Sequence, residues 1–178
     1  MLLDDGSSVP FKRTFCSCGQ CKQNCINCPS YLLPDDLQAY GKVTGFDQLS
    51  SLAPSKEVIE WGKSHLISTT FYFNECSSFL PVLIPKSNDD DGACVNYNDG
   101  NCMVHDHSPF GCRMFDCQTT REDVFNKNTF SIGKLAPIKS CIDKEIPPEL
   151  LTEPERLYWV LLKNCRTRHW EKRIVEIT

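Results

Sequence analysis

Residues 92–117 read GACVNYNDGNCMVHDHSPFGCRMFDC, and this stretch carries a third of the chain's cysteines. They are Cys94, Cys102, Cys112 and Cys117. The short β-like pieces ACVNY and CMVH are separated by Asn-Asp-Gly-Asn, which is typical of a hairpin turn. Gly111, directly before Cys112, would permit a tight turn that presents a thiolate. The stretch therefore predicts a hairpin and a turn that bring several thiols to one place.

A second group of cysteines lies upstream, in residues 15–31, which read FCSCGQCKQNCINCPSY. Its members are Cys16, Cys18, Cys21, Cys25 and Cys28. The C-x2-C spacings at Cys18–Cys21 and Cys25–Cys28 are the usual chelating pattern for zinc or an iron–sulfur cluster. Taken alone, however, this stretch is compatible with a disulfide framework, a metal site or a catalytic thiol pair.

Features of the whole chain favour a metal site over a disulfide framework. The chain has 178 residues, which suits one domain over residues 1–178 with a Cys-rich core at 16–117. The opening MLLDDGSSVPFKR lacks the apolar region of a signal peptide, and the longest apolar runs are too short to span a membrane. We therefore expect a cytoplasmic protein without membrane contact, in which thiols stay reduced and dense cysteines bind metal. The net charge of −4 argues against a nucleic-acid binder. The sequence is compatible with a protein partner but does not identify one.

The expected metal ligands are the clustered cysteines: Cys18, Cys21, Cys25, Cys28, Cys94, Cys102, Cys112 and Cys117. Eight thiolates would fill two four-coordinate sites, or one site plus several structural thiols. Three further side chains stay open as ligands, namely Cys16, Cys76 and His105. Cys165 lies on an amphipathic helix and is expected in the core.

The two cysteine groups together resemble a known family, the YkgJ-like cysteine-cluster domain, also described as the CxxCxxCC or zinc- or iron-chelating domain. CGQCKQNCINCPSYLLPDDL is similar to the family's opening Cys group and the Leu-x-Pro-x-Asp-Leu element that follows it. GACVNYNDGNCMVHDHSPFGCRMFDC is similar to its closing group, which ends in Cys-Arg-x-Phe and is the more distinctive part. The resemblance spans residues 16–117 and implies metal chelation, in some relatives as an iron–sulfur cluster.

The chain departs from the family pattern at two places. The family's adjacent Cys-Cys pair is absent, because Cys21 is followed by Lys22, so Cys25 and Cys28 are the candidates to substitute for it. Ser108 stands where the family has Arg before Pro. One relative is a large flagellin lysine methylase, but methylation is not transferred, because the chain has no glycine-rich nucleotide fingerprint after a strand.

Local patterns predict a small, irregular α+β domain, with short helices and a small sheet packed around a metal centre. Helices are predicted from Pro34 through Tyr40, over 44–53, from Ser55 onward, and over about 152–170. Strands are predicted at STTFYF, residues 68–73, and at FLPVLI, residues 79–84, where Pro81 indicates an edge or a bulge.

The function expected from these patterns is metal binding, by a Cys-ligated [4Fe–4S] or other iron–sulfur cluster, or by zinc, which holds the two Cys-rich loops together. The excess of Cys over His and the family resemblance tilt the expectation towards iron–sulfur. Arg113 would offset part of the thiolate charge. The alternative is a cluster-dependent redox or protein-modifying enzyme, for which the sequence names no catalytic residue.

Overall fold

A computed structural model describes residues 11, 18–19, 23, 30–46, 55–88, 93–99, 101–104 and 107–167. These residues form a mixed α+β fold of five α-helices and two small antiparallel sheets, which confirms the predicted class. None of the described helices is long and apolar enough to cross a membrane.

The first helix begins with a 3₁₀ turn at Pro34–Asp36 and continues as α1, Leu37–Val43. The helix continues past its predicted end at Tyr40 as far as Val43, and the hydroxyl of the C-cap residue Thr44 donates to the carbonyl oxygen of Tyr40 over 2.7 Å. Residues 44–46 form a turn, with Gly45 at φ 92°, so the predicted helix over 44–53 does not begin there. Its remainder lies outside the described residues.

Helix α2, Lys56–His65, begins where the sequence predicted, because the Ser55 side chain accepts a hydrogen bond from the Val58 backbone N–H. The chain then passes directly into strand β1, Leu66–Phe73. Strand β1 pairs antiparallel with β2, Ser78–Pro85, around a 3₁₀ turn at Asn74–Cys76. Pro81 lies opposite Thr70 within this two-stranded sheet, as expected for an edge strand.

The predicted hairpin after β2 is present as β3, Tyr97–Asn98, paired with β4, Asn101–Cys102. Asp99 in its turn has a φ of 47°, a conformation that Asn, Asp and Gly adopt more readily than other residues. The next element is the single-turn helix α3, Phe110–Arg113.

The longest helix, α4 at Arg121–Ile142, was not predicted. Its buried positions include the polar residues Lys127 and Ser131, and Pro137 lies inside it, so no clear apolar stripe marks it. Its start does carry a signal, because Thr120 and Asp123 form a reciprocal capping box.

Helix α5, Glu153–Asn164, begins where the sequence predicted, at a reciprocal capping box formed by Thr152 and Glu155. It ends at Asn164, several residues before the predicted end at about 170, and residues beyond 167 lie outside the described part. Helix α5 packs against α2, α4 and the β1–β2 sheet. The centre of this arrangement is hydrophobic, and its largest fully buried side chains are Tyr40, Tyr158, Phe73 and Phe110.

The hydroxyl of Tyr158 on α5 ties the segment after the first cysteine group to the sheet. It accepts a hydrogen bond from the Leu83 N–H and donates one to the Leu32 carbonyl oxygen, each over 2.7 Å. Leu32 also bridges Leu83 directly through its own backbone N–H, at 2.8 Å. The chain just after the early cysteines is therefore anchored in the core.

Candidate metal centre

The two cysteine-rich segments meet at Cys18 and Cys117, whose Sγ atoms lie 3.6 Å apart although 99 residues separate them in the chain. Both side chains are exposed. The separation is well beyond the ~2.05 Å of a disulfide bond. At this distance the two thiols share a hydrogen bond, and the separation is also close to the sulfur–sulfur edge of about 3.8 Å that follows from two thiolates bound tetrahedrally to one ion at ~2.3 Å.

Cys117 lies in a tight turn that follows α3. Oδ1 of Asp116 accepts a hydrogen bond from the Gln118 N–H over 2.9 Å, and the Asp116 N–H donates to Oγ1 of Thr119 over 2.9 Å. These local side-chain bonds turn the backbone around the cysteine, as Asp and Thr commonly do.

The other three described cysteines of the predicted ligand set, Cys94, Cys102 and Cys112, share a cavity of about 30 Å³. They come from different elements, namely a β-bridge between Ser87 and Cys94, strand β4, and helix α3. The cavity's other lining residues are Pro85, Asn96, Tyr97, Val104 and Pro109. The predicted hairpin thus brings thiols to one cavity, whereas Cys112 reaches it from a helix and not from the tight turn predicted at Gly111.

Tyr40 and Asn96 form a buried polar contact beside these thiols. The Asn96 side-chain amide donates to the Tyr40 hydroxyl over 2.7 Å and to Sγ of Cys94 over 3.7 Å. Burial raises the pKa of Tyr40, the Asn96 hydrogen bond opposes the rise, and the charges of Cys94, Cys112 and Cys102 add to it. The phenol is thus linked to Cys94 through the Asn96 amide.

Helix α3, which carries Cys112, is held in place by a buried carboxylate. Oδ2 of Asp36 accepts from the Phe110 and Leu33 backbone N–H groups, each over 2.8 Å, and Oδ1 accepts from Nη2 of Arg113 over 2.7 Å. Arg113 also donates to the Ser108 carbonyl oxygen over 3.2 Å. Burial raises the pKa of Asp36, and the Arg113 guanidinium opposes that rise. The arginine expected to offset thiolate charge thus has a carboxylate as its ion-pair partner.

Gly111 is required for close packing and not for a left-handed turn. A Cβ at this position would lie 2.0 Å from Oγ of Ser30 and 3.1 Å from the Tyr31 backbone nitrogen. The Gly111 N–H donates to the Tyr31 carbonyl oxygen over 3.0 Å. Glycine therefore lets the helix that carries Cys112 lie against the segment that follows the early cysteines.

Aromatic side chains complete the attachment of α3 to the core. The Phe110 ring stacks on Phe130 of α4 at 5.8 Å and lies 6.1 Å from the Tyr31 ring. Phe11, near the start of the chain, contacts Phe110 at 6.4 Å and Phe130 at 5.5 Å. The helix that carries Cys112 is consequently packed against the aromatic side chains of the core.

Several predicted or open ligands lie outside the described residues: Cys16, Cys21, Cys25, Cys28 and His105. Cys76 is exposed at the tip of the β1–β2 hairpin, and its thiol donates to the Phe73 carbonyl oxygen over 3.7 Å. Cys165 is buried, as expected for a core residue, and burial raises its pKa to about 12. Cys141 is also buried, and burial raises the pKa of its thiol.

Within the described ranges, no group of three or more His, Cys, Asp or Glu side chains is arranged to hold a single metal ion. The closest arrangements are the Cys18–Cys117 pair and the three thiols that share the cavity. Sequence reasoning missed the polar residues that support them, above all Asp36, Tyr40 and Asn96. Asp36 had a signal in the LLPDDL element, whereas nothing local marks Tyr40 or Asn96.

No protein-family model matches this chain, and no curated protein or solved structure matches it either.

Proposed function

We propose that this protein binds metal through cysteine thiolates, as an iron–sulfur cluster or as zinc, and that the metal joins its two Cys-rich segments. The observation that carries the proposal is the 3.6 Å contact between Cys18 and Cys117. Two thiolates from distant parts of a chain, close together without a covalent bond, repel one another unless a cation or a proton lies between them. A thiophilic metal supplies that positive charge.

The donor set fits such a metal. Thiolate sulfur is the preferred ligand of zinc and of iron–sulfur clusters, and four sulfur ligands complete either kind of centre. Five of the eight predicted ligands are described, and all five lie either in the Cys18–Cys117 pair or around the shared cavity. The proposed ligands are therefore Cys18, Cys94, Cys102, Cys112 and Cys117, together with Cys21, Cys25 and Cys28.

The rest of the chain contributes orientation. Asp36 fixes the helix of Cys112, the turn at Asp116 orients Cys117, and the Asn96 amide points at Cys94. An N–H donor aimed at a ligating sulfur stabilises its negative charge. Membership of the YkgJ-like family and a cytoplasmic location, where thiols stay reduced, are parts of the same proposal.

The test is anaerobic purification of the full chain, followed by a visible spectrum and by analysis for zinc, iron and acid-labile sulfide. We expect either a brown protein that contains iron and sulfide or a colourless protein with stoichiometric zinc. Cys112→Ser should reduce the metal content, whereas the control Cys165→Ser, in the core, should leave it unchanged. Protein without metal, with its thiols recovered as disulfides, would contradict the proposal.

A further inference from the structure

The five described cysteines of the predicted set fall into two groups with different surroundings. Cys18 and Cys117 are exposed, and neither lines the cavity that Cys94, Cys102 and Cys112 share. Tyr40 is linked to Cys94 of the cavity group through the Asn96 side-chain amide. Cys112 and Cys117 are only five residues apart in the chain, yet they belong to different groups.

The separation of the two sulfurs in the exposed pair matches that expected for two ligands on one ion. Its sulfurs are separated by 3.6 Å, near the ~3.8 Å edge of a tetrahedron with metal–sulfur bonds of ~2.3 Å. In a [4Fe–4S] cluster with four cysteines, each iron takes one thiolate, so neighbouring cysteine sulfurs belong to different metal atoms. Two thiolates in contact therefore fit a single ion better than a cubane.

The cavity group has a different geometry. Across the described residues, Cys94, Cys102 and Cys112 do not form a group that holds one ion, and neither do any of them together with the exposed pair. Both groups nevertheless have architectural support, from the Asp116 turn in one case and from Asp36, Tyr40 and Asn96 in the other. A single metal centre would need ligands from both of these separately supported groups.

We propose that the protein has two separate metal centres, and that Cys18 and Cys117 bind the same four-coordinate ion of the zinc class at one of them. The cavity thiols belong to the second centre. This rests on the proposed function.

The first experiment uses wild-type protein and requires no variant. Metal-free protein, prepared anaerobically, is titrated with Co(II), which takes zinc's place at thiolate sites and reports them by sulfur-to-metal absorption. Two Co(II) equivalents bound with thiolate absorption, or one zinc per chain beside iron and sulfide in the protein as purified, support the proposal. One equivalent in total overturns it.

The second experiment assigns the groups. Cys18→Ser, Cys117→Ser and the double variant should each lose the same metal equivalent and keep the other, because both residues bind one ion. Cys112→Ser should keep the equivalent that these variants lose, and combining it with Cys117→Ser should remove both. Circular dichroism identifies variants that have lost the fold. The metal content of such variants is disregarded, and the Co(II) titration of wild-type protein then decides between one centre and two.

The outcomes separate the two proposals. If folded Cys117→Ser loses all metal, one shared centre is present, so the two-centre proposal fails while metal binding stands. If the double variant Cys18→Ser/Cys117→Ser loses more metal than either single variant, the two residues bind different ions. Wild-type protein that binds no Co(II), with Cys18 and Cys117 recovered as a disulfide, overturns both proposals.

Discussion

Arg113 and Asp36 form a buried ion pair, in which Nη2 of Arg113 donates to Oδ1 of Asp36 over 2.7 Å. The pair links the LLPDDL element, directly after the early cysteines, to the helix that presents Cys112. Because Asp36 also accepts two backbone N–H bonds, it caps one end of that helix and fixes its distance from Leu33. The same carboxylate therefore serves folding and the geometry of the candidate metal centre.

Asp36→Asn should destabilise the protein strongly. The substitution removes the negative charge opposite Arg113, which is only 14% exposed, and an uncompensated buried charge costs about 3 kcal/mol or more. Urea unfolding followed by circular dichroism measures the loss in the free energy of unfolding. The matched control is Asp35→Asn, next in the chain, whose ion pair with Lys134 is about one third exposed and is worth ~0–1 kcal/mol. Equal losses in the two variants would contradict the role assigned to Asp36.

Tyr158→Phe should cost about 2 kcal/mol of unfolding free energy, because it leaves the buried Leu83 N–H and Leu32 carbonyl without their shared partner. Tyr31→Phe is the control, since it removes a buried hydroxyl of the same kind, which contacts Oγ of Ser131 at 2.9 Å. Ser131 keeps its bond to the Lys127 carbonyl oxygen, so the loss should be nearer 1 kcal/mol. Chemical denaturation measures the loss in the free energy of unfolding for both variants. A larger loss for Tyr31→Phe than for Tyr158→Phe would contradict the prediction.

Gly62→Ala should destabilise the contact between α2 and α5 by about 1–3 kcal/mol, since the new Cβ would lie 2.5 Å from Cδ2 of Leu161. Gly133→Ala, inside α4, meets nothing within 4 Å and should stabilise the protein by ~0.5–1 kcal/mol through helix propensity. Thermal unfolding midpoints should therefore move in opposite directions. An upward shift for Gly62→Ala as well would mean that helix propensity outweighs the α2–α5 contact.

Cys165 should resist alkylation in the folded protein. Burial raises its pKa to about 12, so at pH 8 roughly 10⁻⁴ of the thiol is ionised, and the thiolate is the reactive form. Cys76, which is exposed, should react with iodoacetamide far sooner. Peptide mass spectrometry of metal-loaded protein measures both, and urea should abolish the difference. Equal labelling of the two cysteines before unfolding would contradict the prediction, because it would show that Cys165, at the C-terminal end of α5, is accessible to the reagent.

Much of the local structure was predictable from short patterns. The Ser55 and Thr152 caps predicted the starts of α2 and α5, and the β-branched and aromatic run at 68–73 predicted β1. These signals act within one turn or one strand, so they need no knowledge of the rest of the fold. Helix α4 was not predicted because the burial of Lys127 and Ser131 depends on hydrogen-bond partners elsewhere in the fold. These partners are the Met114 carbonyl oxygen and the Tyr31 hydroxyl, and local sequence does not reveal them.

By itself, the sequence determined that this protein is rich in clustered thiols and that it builds a small α+β domain with a hairpin between its later cysteines. Only the tertiary structure decided that Cys18 meets Cys117, that Cys112 belongs with Cys94 and Cys102, and that Asp36 holds Arg113. The physical reason is distance along the chain. Spacing and propensity act over a few residues, whereas these contacts depend on how the packed core places α3, the hairpin and the LLPDDL element relative to one another.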